Sequence, residues 1–217
     1  AGAVAKARGE SSNSCLIAQE LVDGVAVSVS VLTAGSAALP VSLNKQDVSF
    51  MPPEAASTYN GGQVPFDSPL QSEAFTAAQQ VVESFQGLRG YVGVDLVLTE
   101  ESAVVIEVNP RLTTSYIGLS KIASFNPAQA VIDAVLEHKL PAGTQSRGYA
   151  VFSKLNVPKP AIATLQESYC LSEVVAPPFP IIEADTACAL VLAHGTTLKA
   201  AEAEFHEAKK RLHNIIR

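Results

Sequence analysis

The residues of this sequence best equipped for chemistry lie between Gly90 and Tyr116, in the segment GYVGVDLVLTEESAVVIEVNPRLTTSY. Its apolar residues alternate. Val92, Val94, Leu96 and Leu98 share one face of a strand, and Val104, Ile106 and Val108 share one face of the next, so both sets are expected to point into a core. The opposite faces then carry Asp95 on the first strand and Glu107 with Asn109 on the second. Joining the apolar faces requires Val94 to sit opposite Val108, or opposite a neighbour two residues along, and Asp95 can then lie directly across from Glu107. Two close carboxylates repel, and one would hold its proton unless a cation stood between them. Hard oxygen donors of this kind suit Mg2+, which completes its shell with water and nucleotide phosphates. Pro110 ends the strand because it has no N–H for the ladder. Arg111 follows with a planar fork that can bind phosphate or carboxylate through two hydrogen bonds, and Thr113, Thr114 and Ser115 add three hydroxyls beside it. A cation cage, an anion fork and hydroxyls at one strand end suit phosphoryl transfer. Spacing alone leaves a second reading open, in which Asp95 and Glu107 are solvated carboxylates on the outside of a hairpin and Arg111 is a surface residue.

The elements that must position this segment are legible on both sides of it. Val25 to Val31 alternates strictly and reads as a half-buried strand to Leu32. Cys15 to Val22 reads as a strand before it, joined by a tight turn at Asp23-Gly24. A third strand is expected over Ala37 to Leu43, then a surface loop from Pro52 to Pro69, where Pro, Gly, Ser and Asn gather. Asp67 or Ser68 can cap a helix with Pro69 in its first turn, and Leu70, Ala74, Ala77, Val81 and Phe85 recur at helical spacing behind it. A second helix is expected from Pro127 to His138. Pro141-Ala-Gly143-Thr144 marks the expected boundary between units 1–141 and 142–217. Beyond it come strands at Tyr149 to Leu155 and Ala187 to Ala193, a Pro-rich stretch from Pro177 to Pro180, and a final helix. Leu198, Ala201, Phe205, Ala208, Leu212 and Ile215 line one face of that helix.

Composition narrows the classes of function. The chain has 217 residues, 47% hydrophobic and 17% charged, which is enough for a sizeable core in an ordinary globular protein. A formal net charge of -6 and a pI near 5.2 argue against a nucleic-acid partner, since phosphate contacts need clustered Lys and Arg. Three cysteines, Cys15, Cys170 and Cys188, have neither zinc spacing nor a disulfide framework and are expected as buried thiols in a reducing cytoplasm. Apolar runs are strand-length, short of the ~20 residues of a membrane helix, so no membrane partner is expected. Ala1 to Glu10 has no apolar core of a signal peptide.

The sequence EVNPR at Glu107 to Arg111, with GVD at Gly93 to Asp95 on the strand before it, resembles the metal signature of the ATP-grasp superfamily. The resemblance implies that Asp95, Glu107 and Asn109 hold Mg2+ between ATP phosphates. It also implies that Arg111 is catalytic, meeting the phosphate or an acyl-phosphate intermediate. AQELVDG at Ala18 to Gly24 is similar to the family's hinge, where the backbone of Gln19, Glu20, Leu21 and Val22 would bind the adenine of ATP. Ala26 stands near the place of a common ribose-binding Glu, which leaves Asp23 as the candidate. LNKQ would set Asn44 and Gln46 beside the nucleotide, and Thr113, Thr114 and Ser115 would orient a carboxylate substrate. The implied fold is α+β: an ATP-grasp C-terminal subdomain with a mostly antiparallel sheet flanked by helices, followed by a small C-terminal α/β lobe. The implied function is a Mg-ATP-dependent ligase joining a small-molecule carboxylate to an amine through an acyl phosphate. Within the superfamily the style is nearest the tyramine–glutamate ligase group of cofactor biosynthesis. Family members usually carry an N-terminal lobe of about a hundred residues and a phosphate-covering loop with a Lys, whereas 18 residues precede Gln19 here. The chain is therefore expected to cover roughly the second half of the fold, as a fragment or proteolysed product of a longer protein, or as a homo-oligomer or a protein whose partner chain supplies that lobe. The alternative is a non-catalytic or partner-dependent nucleotide-binding module.

Overall fold

The computed structural model describes residues 2–11, 15–51, 57–179 and 186–216. A short exposed helix, α1 (Gly2–Glu10), comes first. The strands β1 (Val25–Ala34), β2 (Ala38–Ser49) and β3 (Thr58–Val64) follow, then helix α2 (Gln71–Glu83) and the pair β4 (Arg89–Leu98) and β5 (Ala103–Asn109). Two helices, α3 (Ser115–Ile122) and α4 (Pro127–Leu136), lead to β6 (Tyr149–Pro158), α5 (Ile162–Tyr169), β7 (Val174–Phe179), β8 (Thr186–Gly195) and α6 (Leu198–Ile216). Among the described residues the strands form one sheet in the order β5-β4-β1-β2-β3-β6-β8-β7, with every neighbouring pair antiparallel. This is the expected α+β architecture.

Alternation sorts the sheet into two faces. Val27, Val29 and Val31 of β1 and Val92, Val94, Leu96 and Leu98 of β4 point one way and pack under Ala74, Ala78 and Val82 of α2. Each such side chain contributes about 1.5–3 kcal/mol on burial, which is why the pattern holds the register. On the other face, Leu32, Val41, Tyr91, Ala150, Phe152 and Leu192 pack under Leu119 and Ile122 of α3 and Ala130 of α4. A third cluster joins Leu155, Val157, Ala189 and Val191 to Ala208, Leu212 and Ile216 of α6. That cluster lies wholly beyond position 142, whereas the sheet and the second cluster run across it.

Several elements differ from the sequence reading. Residues 15–23 form no strand: Leu21 is 80% exposed, and β1 is already paired on both sides by β2 and β4, leaving no ladder there. The expected third strand is longer and takes in LNKQ. The stretch read as a surface loop contains the central strand β3, whose Gly61-Gly62 lets its neighbours approach. A Cβ on Gly61 would collide with the Phe152 carbonyl oxygen, and one on Gly62 with the Lys45 carbonyl oxygen. Helix α2 begins after Leu70, with Ser68 accepting from the Leu70 amide, and its buried face is Ala74, Ala78 and Val82; Phe85 is exposed. The Pro-rich stretch holds the end of β7, an edge strand paired only with β8, where prolines are tolerated. Helices α3 and α5 carry no long periodic run and went unread.

Candidate functional site

The site grows from the β4–β5 pair. Because Val94 and Leu96 are held in the first core, Asp95 must face the opposite side of the sheet. Val94 pairs with Val108 and Asp95 with Glu107, the register expected from alternation. The next pair is Leu96 with Val105, so a β-bulge inserts Ile106. This corrects the expected face of β5: Ala103, Val105 and Val108 pack on the core, whereas Ile106 turns out and is 38% exposed.

The side chains on the site face then gather. Asp95 accepts at Oδ1 from Gln46 Nε2 (2.9 Å) and at Oδ2 from Asn109 Nδ2 (3.0 Å). Asn109, 8% exposed, accepts at Oδ1 from Arg111 Nη2 at 3.3 Å. Arg111 also donates to the Leu112 carbonyl oxygen at 3.2 Å, which folds its guanidinium back over the strand end. Glu107 is exposed opposite Asp95. A pocket of about 170 Å³ opens between Gln46, Tyr59, Asp95, Asn109, Arg111 and Thr114. That volume is below the roughly 300–1,000 Å³ of a drug-sized ligand site. It suits an ion and a phosphoryl group better than a whole nucleotide.

Electrostatics disfavour a bare Asp95 carboxylate. Burial raises the Asp95 pKa, the facing Glu107 carboxylate raises it further, and the contacts from Gln46, Arg111 and Asn109 only partly oppose this. Each carboxylate and carboxamide oxygen keeps a second lone pair beyond the hydrogen bond it accepts. Two carboxylates and a carboxamide oxygen make a hard-oxygen donor set, so these residues fit a Mg2+ ion. Among the described residues no cluster of three or more His, Cys, Asp or Glu offers a rival site. Tyr59 was missed because it sits on β3, in the stretch read as loop. Burial, with the nearby Asp95 charge, pushes its pKa well up and keeps its hydroxyl protonated beside Thr114.

The structure separates the other expected site residues. Gln46 reaches the pocket; Asn44 does not. Asn44 is 0% exposed, with Oδ1 accepting from Ser42 (2.7 Å) and Nδ2 donating to Ser28 (3.3 Å) and Ser30 (3.0 Å), so it has no donor left for a nucleotide. Thr113 and Ser115 edge the pocket but spend their hydroxyls on Tyr91 (2.9 Å) and Ser28 (3.3 Å). Thr114 also borders it. Gln19, Glu20, Leu21 and Val22 are not among its lining residues. A broader hollow of about 650 Å³ lies at Asp23, Gly24, Val25 and the β4–β5 turn.

Comparison with known proteins places this geometry in a family. A family profile described as an ATP-grasp domain matches residues 3–115, from α1 through the whole Asp95-to-Arg111 set. Tyramine–L-glutamate ligase of Methanocaldococcus jannaschii is 37% identical over 101 residues, covering 46% of this chain and 30% of that one. The fold is similar to N5-carboxyaminoimidazole ribonucleotide synthetase of Thermus thermophilus, with a TM-score of 0.64 at 18% identity over 89% of this chain and 52% of that one. It is also similar to the carboxyaminoimidazole ribonucleotide synthase of Aspergillus clavatus solved with ATP, with a TM-score of 0.60 at 17% identity over 91% and 52%. The match thus spans less than a third of the curated ligase and about half of each solved relative. With its family profile spanning 113 of the 217 residues, the chain belongs to the ATP-grasp family.

Proposed function

We propose that this chain carries the cation- and phosphoryl-handling part of a Mg-ATP-dependent carboxylate–amine ligase. The observation that carries the reading is the convergence of Asp95, Asn109 and Arg111 on one small pocket, with Glu107 paired across from Asp95 at its exposed side. Asp95, Glu107 and Asn109 would hold Mg2+, which supplies charge neutralisation of the nucleotide phosphates when bound. Gln46 orients the Asp95 carboxylate, and Arg111 offsets the charge on the transferring phosphoryl group. A substrate carboxylate oxygen attacks the γ-phosphorus, the bond to ADP breaks, and an acyl phosphate forms. An amine then attacks the acyl carbon, loses a proton and expels phosphate, leaving an amide. Thr114, the hydroxyl of the three with no partner in the buried layer, borders the place the carboxylate would occupy. The adenine would lie towards the hinge residues 19–22, next to the hollow at Asp23.

The first substrates to try are L-glutamate and tyramine, the pair in the name of the curated relative. We take 1–141 and 142–217 as subdomains sharing one sheet, a division supported by the third core cluster. We place the protein in the cytoplasm, in keeping with three cysteines whose spacing follows no disulfide framework, although Cys15 and Cys170 are exposed where buried thiols were expected; among the described residues no helix is long and apolar enough to cross a membrane. The acyl-phosphate step has a direct test. With the carboxylate labelled by oxygen-18, one label atom should appear in released phosphate for each amide formed. Phosphate free of label would exclude the intermediate.

A further inference from the structure

The pocket rests on a buried layer that no single strand would reveal. From Thr113 Oγ1 the contacts run to Tyr91 OH (2.9 Å), on to Ser30 Oγ (2.8 Å), to Asn44 Nδ2 (3.0 Å), to Ser28 Oγ (3.3 Å) and to Ser115 Oγ (3.3 Å). The path leaves the turn after β5 at one residue and returns to it two residues later. Ser28, Ser30, Asn44, Tyr91 and Ser115 are all buried. Polar groups there cost free energy unless paired, and valine would fill the same sheet positions without that risk. Every buried side-chain nitrogen and oxygen among the described residues nonetheless has a partner. Packing secures the same turn: a Cβ on Gly93 would collide with the methyl group of Thr113. This gives the glycine of the GVD motif a steric reason.

We infer that this closed ring is a positioning device. Tyr91, Ser30, Asn44 and Ser28 hold residues 110–116 against the sheet, and thereby fix the Arg111 guanidinium relative to Asp95 and Glu107. The inference rests on reading the pocket as the phosphoryl-transfer site. None of the four touches the reacting atoms; each acts through Thr113 or Ser115. A guanidinium displaced by about 1 Å can cost on the order of 100-fold in rate, so a ring two residues away has leverage.

The test compares Tyr91→Phe, Thr113→Val and the double variant in the full natural chain. Both single changes keep the shape of the side chain and remove one hydroxyl from the same link. Hydrogen exchange of the amides at 111–116 is read in metal-free protein, beside kcat and KM for ATP. Each single variant should speed exchange in that turn and lower kcat about tenfold, with KM for ATP within about threefold. The double variant should be no worse than either single one, because one link is already broken. Thr113→Ser keeps the hydroxyl and loses only the methyl packed on Gly93, so it should recover most of the kcat and exchange protection lost in Thr113→Val. Additive losses, or Tyr91→Phe matching wild type in exchange and kcat whatever its melting temperature, would overturn the inference. If Tyr91→Phe does not fold, Thr113→Val against Thr113→Ser decides by the same exchange readout. The exchange experiment needs no substrate. A protein without ligase turnover would therefore sink the functional reading while the ring is still judged.

Discussion

At the scale of single residues, Asp95 is the group on which the account turns. Its folded pKa stands above its ordinary value because burial and the Glu107 charge disfavour the carboxylate. The sign follows from linkage. In metal-free protein Asp95 favours the folded state while protonated, and that contribution is lost as pH rises from the ordinary carboxylate range through the folded pKa. Asp95→Asn should therefore gain stability relative to wild type between about pH 4 and pH 7, read as the difference between their melting temperatures in chelator. Mg2+ should reverse the order at neutral pH by favouring the charged carboxylate. A difference that does not change with pH would contradict this. Asp95 and Glu107 were legible in the sequence because alternation alone fixes which residues share a face. Tyr59 and the buried role of Asn44 were not, since both depend on strands distant in sequence lying side by side.

At the scale of elements, legibility followed the strength of the period. The alternation of β1 and β4 and the helical stripe of α6 each repeat often enough to be read, and Ala201, Ala208 and Leu212 are buried as that stripe requires. The bulge at Ile106 could not be read, because a two-against-one pairing obeys no period. The hinge strand expected at 15–22 failed for a related reason: an apolar run makes a strand only beside an open edge. Strand β3 was hidden by its glycines, whose missing side chains suggest a loop but serve here for close approach. Gly62→Ala should strain β3 against the β2 backbone and cost about 1–3 kcal/mol by denaturant titration. A neutral effect would mean that β3 does not lie as close to β2 as described.

At the scale of the molecule, the fold class and the β4–β5 hairpin with Asp95 opposite Glu107 were readable, but the strand order was not. No local pattern says that β3 must join β2 to β6, or that residues on both sides of position 141 share one sheet. That junction explains the placement of the site. Gln46 and Tyr59 reach Asp95 only because β2 and β3 continue the sheet laid down by β4 and β1. The buried hydroxyl ring uses the same continuity, borrowing one residue from β2, two from β1 and one from β4 to steady a turn after β5.

The most direct test of the central claim is ATP turnover by Glu107→Ala beside wild type, with a carboxylate and an amine supplied and Mg2+ present or chelated. Glu107 is exposed, so the change should leave the melting temperature nearly unmoved. Wild-type turnover should require Mg2+, and Glu107→Ala should lose at least about 100-fold. Equal turnover by the two proteins would show that the Asp95–Glu107 pair does not handle the cation.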